Sequence, residues 1–264
     1  MRSPRQSTVY ISLAVCLAVG AALAQDSGLR TVHVFVALAD NQHQGIVPVA
    51  AILGNGEDPQ HNLYWGSAYG VKTFFTRSAD WEKVSCGAKP KTEVLERCIF
   101  KYRAANVFLV ADAYRGIEIR QAILDFLDSA AGDGLEIVNL PGESVVKLPI
   151  RGGANLVAYI GHDGLMDFQL SKFPLKKNNV SRDAVVLACA SKQFFAEPVR
   201  ASGAYPLVWT TGLMAPEAYT LKSALDGWIA GENGQQIRDR AAGAYDKYQK
   251  CGAHAAHRLL VSGW

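Results

Sequence analysis

Two stretches decide the fold: ANLVAYIGHDG at residues 154–164 and DAVVLACAS at residues 183–191. Each holds a short apolar run, Leu156–Ile160 in the first and residues 184–188 in the second. Unbroken runs of this length suit strands buried on both faces of a parallel sheet. Each run ends on chemically able residues: Gly161-His162-Asp163-Gly164 after the first, Cys189-Ala190-Ser191 after the second. In an open α/β sheet, ligands bind beyond the carboxyl ends of the strands. Neighbouring strands lie ~4.8 Å apart. Pairing of these two runs would bring His162 and Cys189 to one crevice.

The flanking sequence alternates between strand and helix patterns. Residues 31–39 (TVHVFVALA) read as the first core strand, running into Asp40-Asn41-Gln42-His43-Gln44. After the turn at Gly54-Asn55-Gly56, Asp58-Pro59 looks like a helix N-cap with Pro at the first helical position. That helix would carry Leu63, Tyr64, Ala68, Val71 and Phe75 on one face. Residues 78–91 read as a loop or insertion, and residues 97–102 as a candidate strand. Residues 106–111 (NVFLVA) are a firm strand, stopping at Asp112. Residues 117–131 have helical period and end at Gly132. Residues 135–150 alternate weakly around Pro141-Gly142, a hairpin or a strand with a turn. A further strand follows at residues 205–210, then helices at 216–230 and 235–249. The alternation predicts an α/β fold of three layers, a mostly parallel sheet with helices on both faces. No repeat or linker divides it, so residues 25–264 are expected to form one domain.

The amino terminus reads differently. Arg2 and Arg5 precede an apolar run at residues 9–23, and Ala22-Leu23-Ala24 is an A-x-A cleavage pattern. Residues 1–24 are therefore read as a secretory signal rather than an anchor, because the run is short for a membrane span. Leu13-Ala14-Val15-Cys16 faintly resembles a lipoprotein processing site, but Val stands where a small residue belongs. The expectation is a secreted or periplasmic protein with no membrane association after signal removal. Its net charge of +3 is small, and no Lys/Arg block provides a footprint for nucleic acid. The composition, 49% hydrophobic and 19% charged, is that of an ordinary globular domain.

Four cysteines follow the leader: Cys86, Cys98, Cys189 and Cys251. Export favours pairing. Cys86 and Cys98 flank a Lys/Pro-rich turn and are candidates for a bridge; two disulfides using all four are the alternative. A free Cys189 would suit nucleophilic catalysis, which needs exposure, a neighbouring base and donors for an oxyanion. Lys192 supplies a nearby positive charge in sequence. A histidine ordinarily titrates near neutrality, so His162 can serve as general acid or base. The plainer reading makes Cys189 a small core residue and His162 a turn residue. Cys251, His254 and His257 offer zinc-type ligands three apart but lack an obvious fourth. Gly54 and Gly152 fit neither the P-loop nor the dinucleotide fingerprint, and G-x-S-x-G is absent. No metal and no cofactor are expected.

The two central stretches resemble the caspase-like cysteine peptidases, which include legumains, gingipains, clostripain and metacaspases. In that family an apolar strand ends in His-Gly and the next ends in a small residue followed by Cys. LVAYIGHDG and VVLACAS look like those signatures, and the stretch from Tyr114 to Ile123 is similar to the helix start before the His strand in metacaspase-like members. The resemblance implies a caspase-like fold with His162 as catalytic histidine and Cys189 as nucleophile. It also implies Gly164 and the Cys189 amide as oxyanion donors. Asp163 departs from the pattern by intervening between His and Gly, and Leu187 stands where legumains carry an acid. The primary pocket would use the loop after the first strand, with Asp40, Asn41 and His43. Together with Asp112 these would favour a basic side chain; capping of nearby helices is the alternative role for Asp40 and Asp112.

The expected function is an exported cysteine peptidase that hydrolyses peptide bonds of a peptide or protein substrate. The alternatives are an inactive caspase-like binding or scaffold domain and a non-peptidase acyl-transfer enzyme with the same dyad. Sequence gives no oligomeric state.

Overall fold

A computed structural model describes residues 28–140 and 145–264. The leader and the Pro141-Gly142 turn lie outside the described residues. The chain is an α/β structure built on an eight-stranded mixed sheet in the order β10-β9-β8-β7-β1-β4-β3-β2. Its parallel centre comprises β1 (Arg30–Ala37), β4 (Val107–Tyr114), β7 (Leu156–Ile160), β8 (Asp183–Leu187) and β9 (Tyr205–Thr210). Antiparallel strands β2 (Trp81–Ala88) and β3 (Val94–Tyr102) extend one edge, and β10 (Leu260–Val261) closes the other. A separate hairpin of β5 (Glu136–Leu140) and β6 (Val146–Ile150) fits the alternation read around residues 135–150.

Helices cover both faces. On one lie α1 (Val71–Arg77), α4 (Ala218–Ile229) and α5 (Gly234–Gln249), with Val71, Phe75, Leu221, Leu225, Ile237 and Ala241 packed on Val32, Val34 and Val36. The short α6 (Ala253–Leu259) joins this layer through Ala256. On the other lie α2 (Ile119–Ala131) and α3 (Ser191–Ser202), with Ile123, Phe126, Phe195 and Val199 packed on Phe35, Tyr159 and Val186. Every residue of β7 is buried, as two-sided coverage demands. The central pairing is as expected: Leu156 to Ile160 run parallel to Asp183 to Leu187 in unbroken register.

Three segments differ from their sequence reading. The helix expected from Asp58 is confined to Val71–Arg77. Asn62 hooks the preceding segment onto the chain just past the end of β1 instead, accepting from Ala39 N at 3.0 Å and donating to Ala39 O at 2.8 Å. Gly66 presses on the Gln60 carbonyl, where a Cβ would sit 2.0 Å from oxygen. Residues 81–88, read as part of a loop, form edge strand β2, tied to β3 by the Cys86–Cys98 disulfide. Its outer face meets solvent, so it lacks the apolar signature of a core strand. Finally, β4 runs on to Tyr114, which places Asp112 inside the strand rather than at its end.

Candidate functional site

Four neighbouring parallel strands, β9, β8, β7 and β1, send their carboxyl-terminal loops to one end of the sheet. These loops enclose a cavity of about 360 Å³. The loop after β1 contributes Ile46, Val47 and Val49; β7 leads to Gly161 and His162; β8 leads to Cys189; the loop after β9 contributes Leu213 to Glu217. Leu63 and Tyr64 add to the wall. His162 and Cys189 thus share one opening because their strands are neighbours.

The turn carrying Cys189 is braced on several sides. Ala190 adopts φ 47°, ψ 30°, a left-handed conformation that costs a non-glycine residue about 1–2 kcal/mol. It is held there by its amide, which donates to Gly212 O at 2.8 Å. Ser191 Oγ donates to Val186 O, and the Ser191 amide donates to Thr210 Oγ1. Thr210 Oγ1 in turn donates to Ala188 O. Helix α3 starts directly after this turn, so the sulfur lies near a helix N-terminus, where negative charge is favoured. The Met214 amide donates to Cys189 Sγ at 3.4 Å. Cys189 is half-buried and unbridged, which excludes the two-disulfide alternative; Cys251 is free and exposed. Lys192 does not reach the sulfur by a hydrogen bond; its Nζ sits 5.5 Å from the centre of the Trp209 ring.

His162 is fixed from both ends. Gly161 has φ 153°, and a Cβ there would lie 2.9 Å from Ala37 O, so the chain passes close against β1. Tyr159 Oη donates to the His162 carbonyl at 2.7 Å. On the ring, Nε2 meets Asp167 Oδ2 at 2.7 Å, and the same oxygen accepts from the Gly45 amide at 3.0 Å. A carboxylate only accepts, so Nε2 carries a proton, and in the neutral ring the lone pair is on Nδ1. Asp167 is one residue that the sequence did not single out: it follows a 3₁₀ turn at Gly164–Met166, a local fold with no period to reveal it.

Asp163, next to the histidine, is fully buried. Its Oδ1 accepts from Leu165 N, while Oδ2 has no partner among the described residues. Burial raises this carboxyl to about 7, against the lowering effect of the Leu165 amide.

The other expected site residues are placed elsewhere. The Gly164 amide donates to His162 O at 3.1 Å, and the residue packs against Phe168 and Ile123, where a Cβ would be crowded. It is a packing glycine outside the cavity lining, not an open oxyanion donor. The Cys189 amide, by contrast, makes no hydrogen bond among the described residues. Asp40 accepts from Gln42 N, His43 N and His43 Nδ1, and these residues line a separate depression with Asn41 and Gly54. Asn41 bonds Val49 in both directions and thereby shapes the cavity wall without entering it. Asp112 is buried in β4, held by two bonds from Arg97 and one contact to His33 Nε2 at 3.0 Å. Burial raises its carboxyl, but Arg97 and His33 outweigh that and hold it at about 2. It faces no ligand space. Near the C-terminus, His257 pairs with Asp239 at 3.2 Å.

An acid that the sequence did not single out lies in the cavity. Glu217, the N-cap residue of α4, is 9% exposed and lines the opening. Tyr219 Oη and Gln249 Nε2 donate to its Oε2 at 2.8 and 3.1 Å. Burial raises its carboxyl above the ordinary range, opposed by those two donors. Nothing in its local sequence marks it, because its placement depends on the loop from Leu213.

No family model, curated protein or solved structure matches the chain. Among the described residues, no helix is long and apolar enough to cross a membrane.

Proposed function

We propose that this protein is a cysteine peptidase of caspase-like type, with Cys189 as nucleophile and His162 as general base and acid. The observation that carries the reading is that both residues, at the ends of adjacent parallel strands, line one cavity. In the proposed reaction His162 takes the thiol proton at the ring nitrogen not held by Asp167. The sulfur attacks the substrate carbonyl carbon, and the carbonyl electron pair moves to oxygen. The unoccupied Cys189 amide is available to donate to that oxyanion. Collapse expels the amine, which leaves with the proton from the imidazolium, and a thioester remains on Cys189. Water, deprotonated by the same imidazole, then hydrolyses the thioester and restores the thiol. Asp167, though its side chain is 36% exposed, positions the ring and stabilises its charged form, the orienting role that the acid plays in a Ser-His-Asp triad.

Export belongs to the same proposal. It rests on the leader at residues 1–24 and is supported by the Cys86–Cys98 disulfide, since an oxidising compartment maintains such a bond.

A non-catalytic scaffold is the competing reading, favoured by Asp163 standing between His162 and a Gly164 amide that is already engaged. Iodoacetamide at neutral pH separates the two. The peptidase reading expects selective labelling of Cys189 over Cys251, slowed in His162→Ala, and cleavage of a peptide library lost in Cys189→Ala. Equal labelling of both thiols without cleavage would establish the scaffold. A selectively reactive Cys189 without peptide cleavage would move the assignment to another acyl transfer.

A further inference from the structure

We propose that Glu217 makes the cavity selective for a substrate side chain with an apolar stem ending in a cation, of lysine or arginine type. This rests on the reading of Cys189 as the acylated nucleophile in the same opening. The two acids that the sequence offered for such a role, Asp40 and Asp112, are engaged elsewhere. Glu217 is the acid that lines this cavity.

The lining is chiefly apolar: Ile46, Val49, Leu63, Met214 and Pro216 surround the space. At about 360 Å³ the cavity falls in the size range of sites that enclose a small ligand group. Such walls suit the methylenes of a long side chain, which pack on apolar surface while the charged tip seeks a polar partner. Glu217 supplies that partner. Its Oε2 is fixed by Tyr219 and Gln249, while Oε1 of this cavity-lining residue has no hydrogen-bond partner among the described residues. Both fixing groups are neutral, and no cation of the protein compensates the carboxylate. A partly desolvated carboxylate with no protein countercharge is less stable than one in bulk water, and an incoming cation offsets that cost. A purely apolar side chain would fill the walls but leave Oε1 unsatisfied. An acidic one would be repelled.

The test uses three peptidyl chloromethyl ketones that differ only in the terminal residue: lysine, norleucine or aspartate. Cys189 Sγ displaces chloride from each to form a thioether, and mass spectrometry follows the rate. The lysine probe is expected to label the wild-type protein about 10- to 100-fold faster than the norleucine probe, the range of one charge-assisted hydrogen bond. Glu217→Gln, which keeps shape and the contacts of Oε2, should collapse that lysine-to-norleucine ratio toward one. Equal rates in the wild type, a faster aspartate probe, or a ratio that survives Glu217→Gln would each overturn the inference while the nucleophile stands. Failure of all three probes to label Cys189 would remove the peptidase reading itself and this inference with it.

Discussion

Nε2 of His162 lies 2.7 Å from Oδ2 of Asp167, and the amide of Gly45 holds that same oxygen at 3.0 Å. Two loops meet at this one atom: the connection after β7, which carries both His162 and Asp167, and the loop after β1, which carries Gly45. The wall residues Ile46, Val47 and Val49 follow Gly45 directly, so histidine orientation and cavity shape share a single anchor.

Replacing that anchor tests its role. Asp167→Asn removes the charge that fixes the ring tautomer, and kcat/KM for peptide hydrolysis is expected to fall by about 100-fold or more. Asp167→Glu should restore part of the loss. A variant with unchanged kinetics would reduce Asp167 to a loop fastener.

Cys189→Ala removes one half-buried sulfur whose protein contacts are two weak bonds to the Met214 backbone. Activity should vanish while Tm moves by less than about 4 °C, the response to a small surface-near change. A much larger drop, measured by thermal unfolding, would identify the sulfur as a core element instead.

Asp112 provides an acid-labile contribution to stability. Its folded pKa of about 2 lies below the unfolded value near 3.9, so its stabilisation is complete above pH ~4 and is lost as pH falls through ~2. His33, whose pKa is lowered chiefly by burial, acts in the same direction. Asp112→Asn leaves Arg97 with one fewer buried partner and should cost about 3 kcal/mol or more at pH 7. Urea unfolding across pH 2 to 7 should show a flatter acid limb in the variant. An unaltered limb would mean that other carboxylates control acid unfolding.

Asp163 has the opposite sign. Its folded value of about 7 lies above the unfolded one, so its contribution is full below pH ~4 and is lost as pH rises through 7. Asp163→Asn keeps an acceptor for the Leu165 amide and cannot ionise. Relative to the wild type it should gain stability on going from pH 5 to pH 8, by up to about 3 kcal/mol. Parallel pH profiles for the two proteins would refute the assignment.

The sheet was readable where burial is two-sided. Leu156–Ile160 and Asp183–Leu187 are apolar because both faces are covered, and that constraint is written directly into composition. Strand β2 was not, since an edge strand held by a disulfide needs no apolar run. Helix α3 has no comparably clear signature: Pro198 stands inside it, and only part of one face is apolar. The helix foreseen from Asp58 failed because one long-range side chain, Asn62, outcompeted local propensity.

The chain by itself determined the parallel core and the residues that end its two central strands, because hydrophobic burial repeats along the sequence and strand ends are where polar residues resume. Only the tertiary structure decided which acids matter. It engaged Asp40 and Asp112 elsewhere, and it brought Asp167 to His162 and Glu217 to the cavity. Those placements depend on loops whose course is set by contacts far apart in the chain, and such contacts leave no periodic trace for a linear reading to follow.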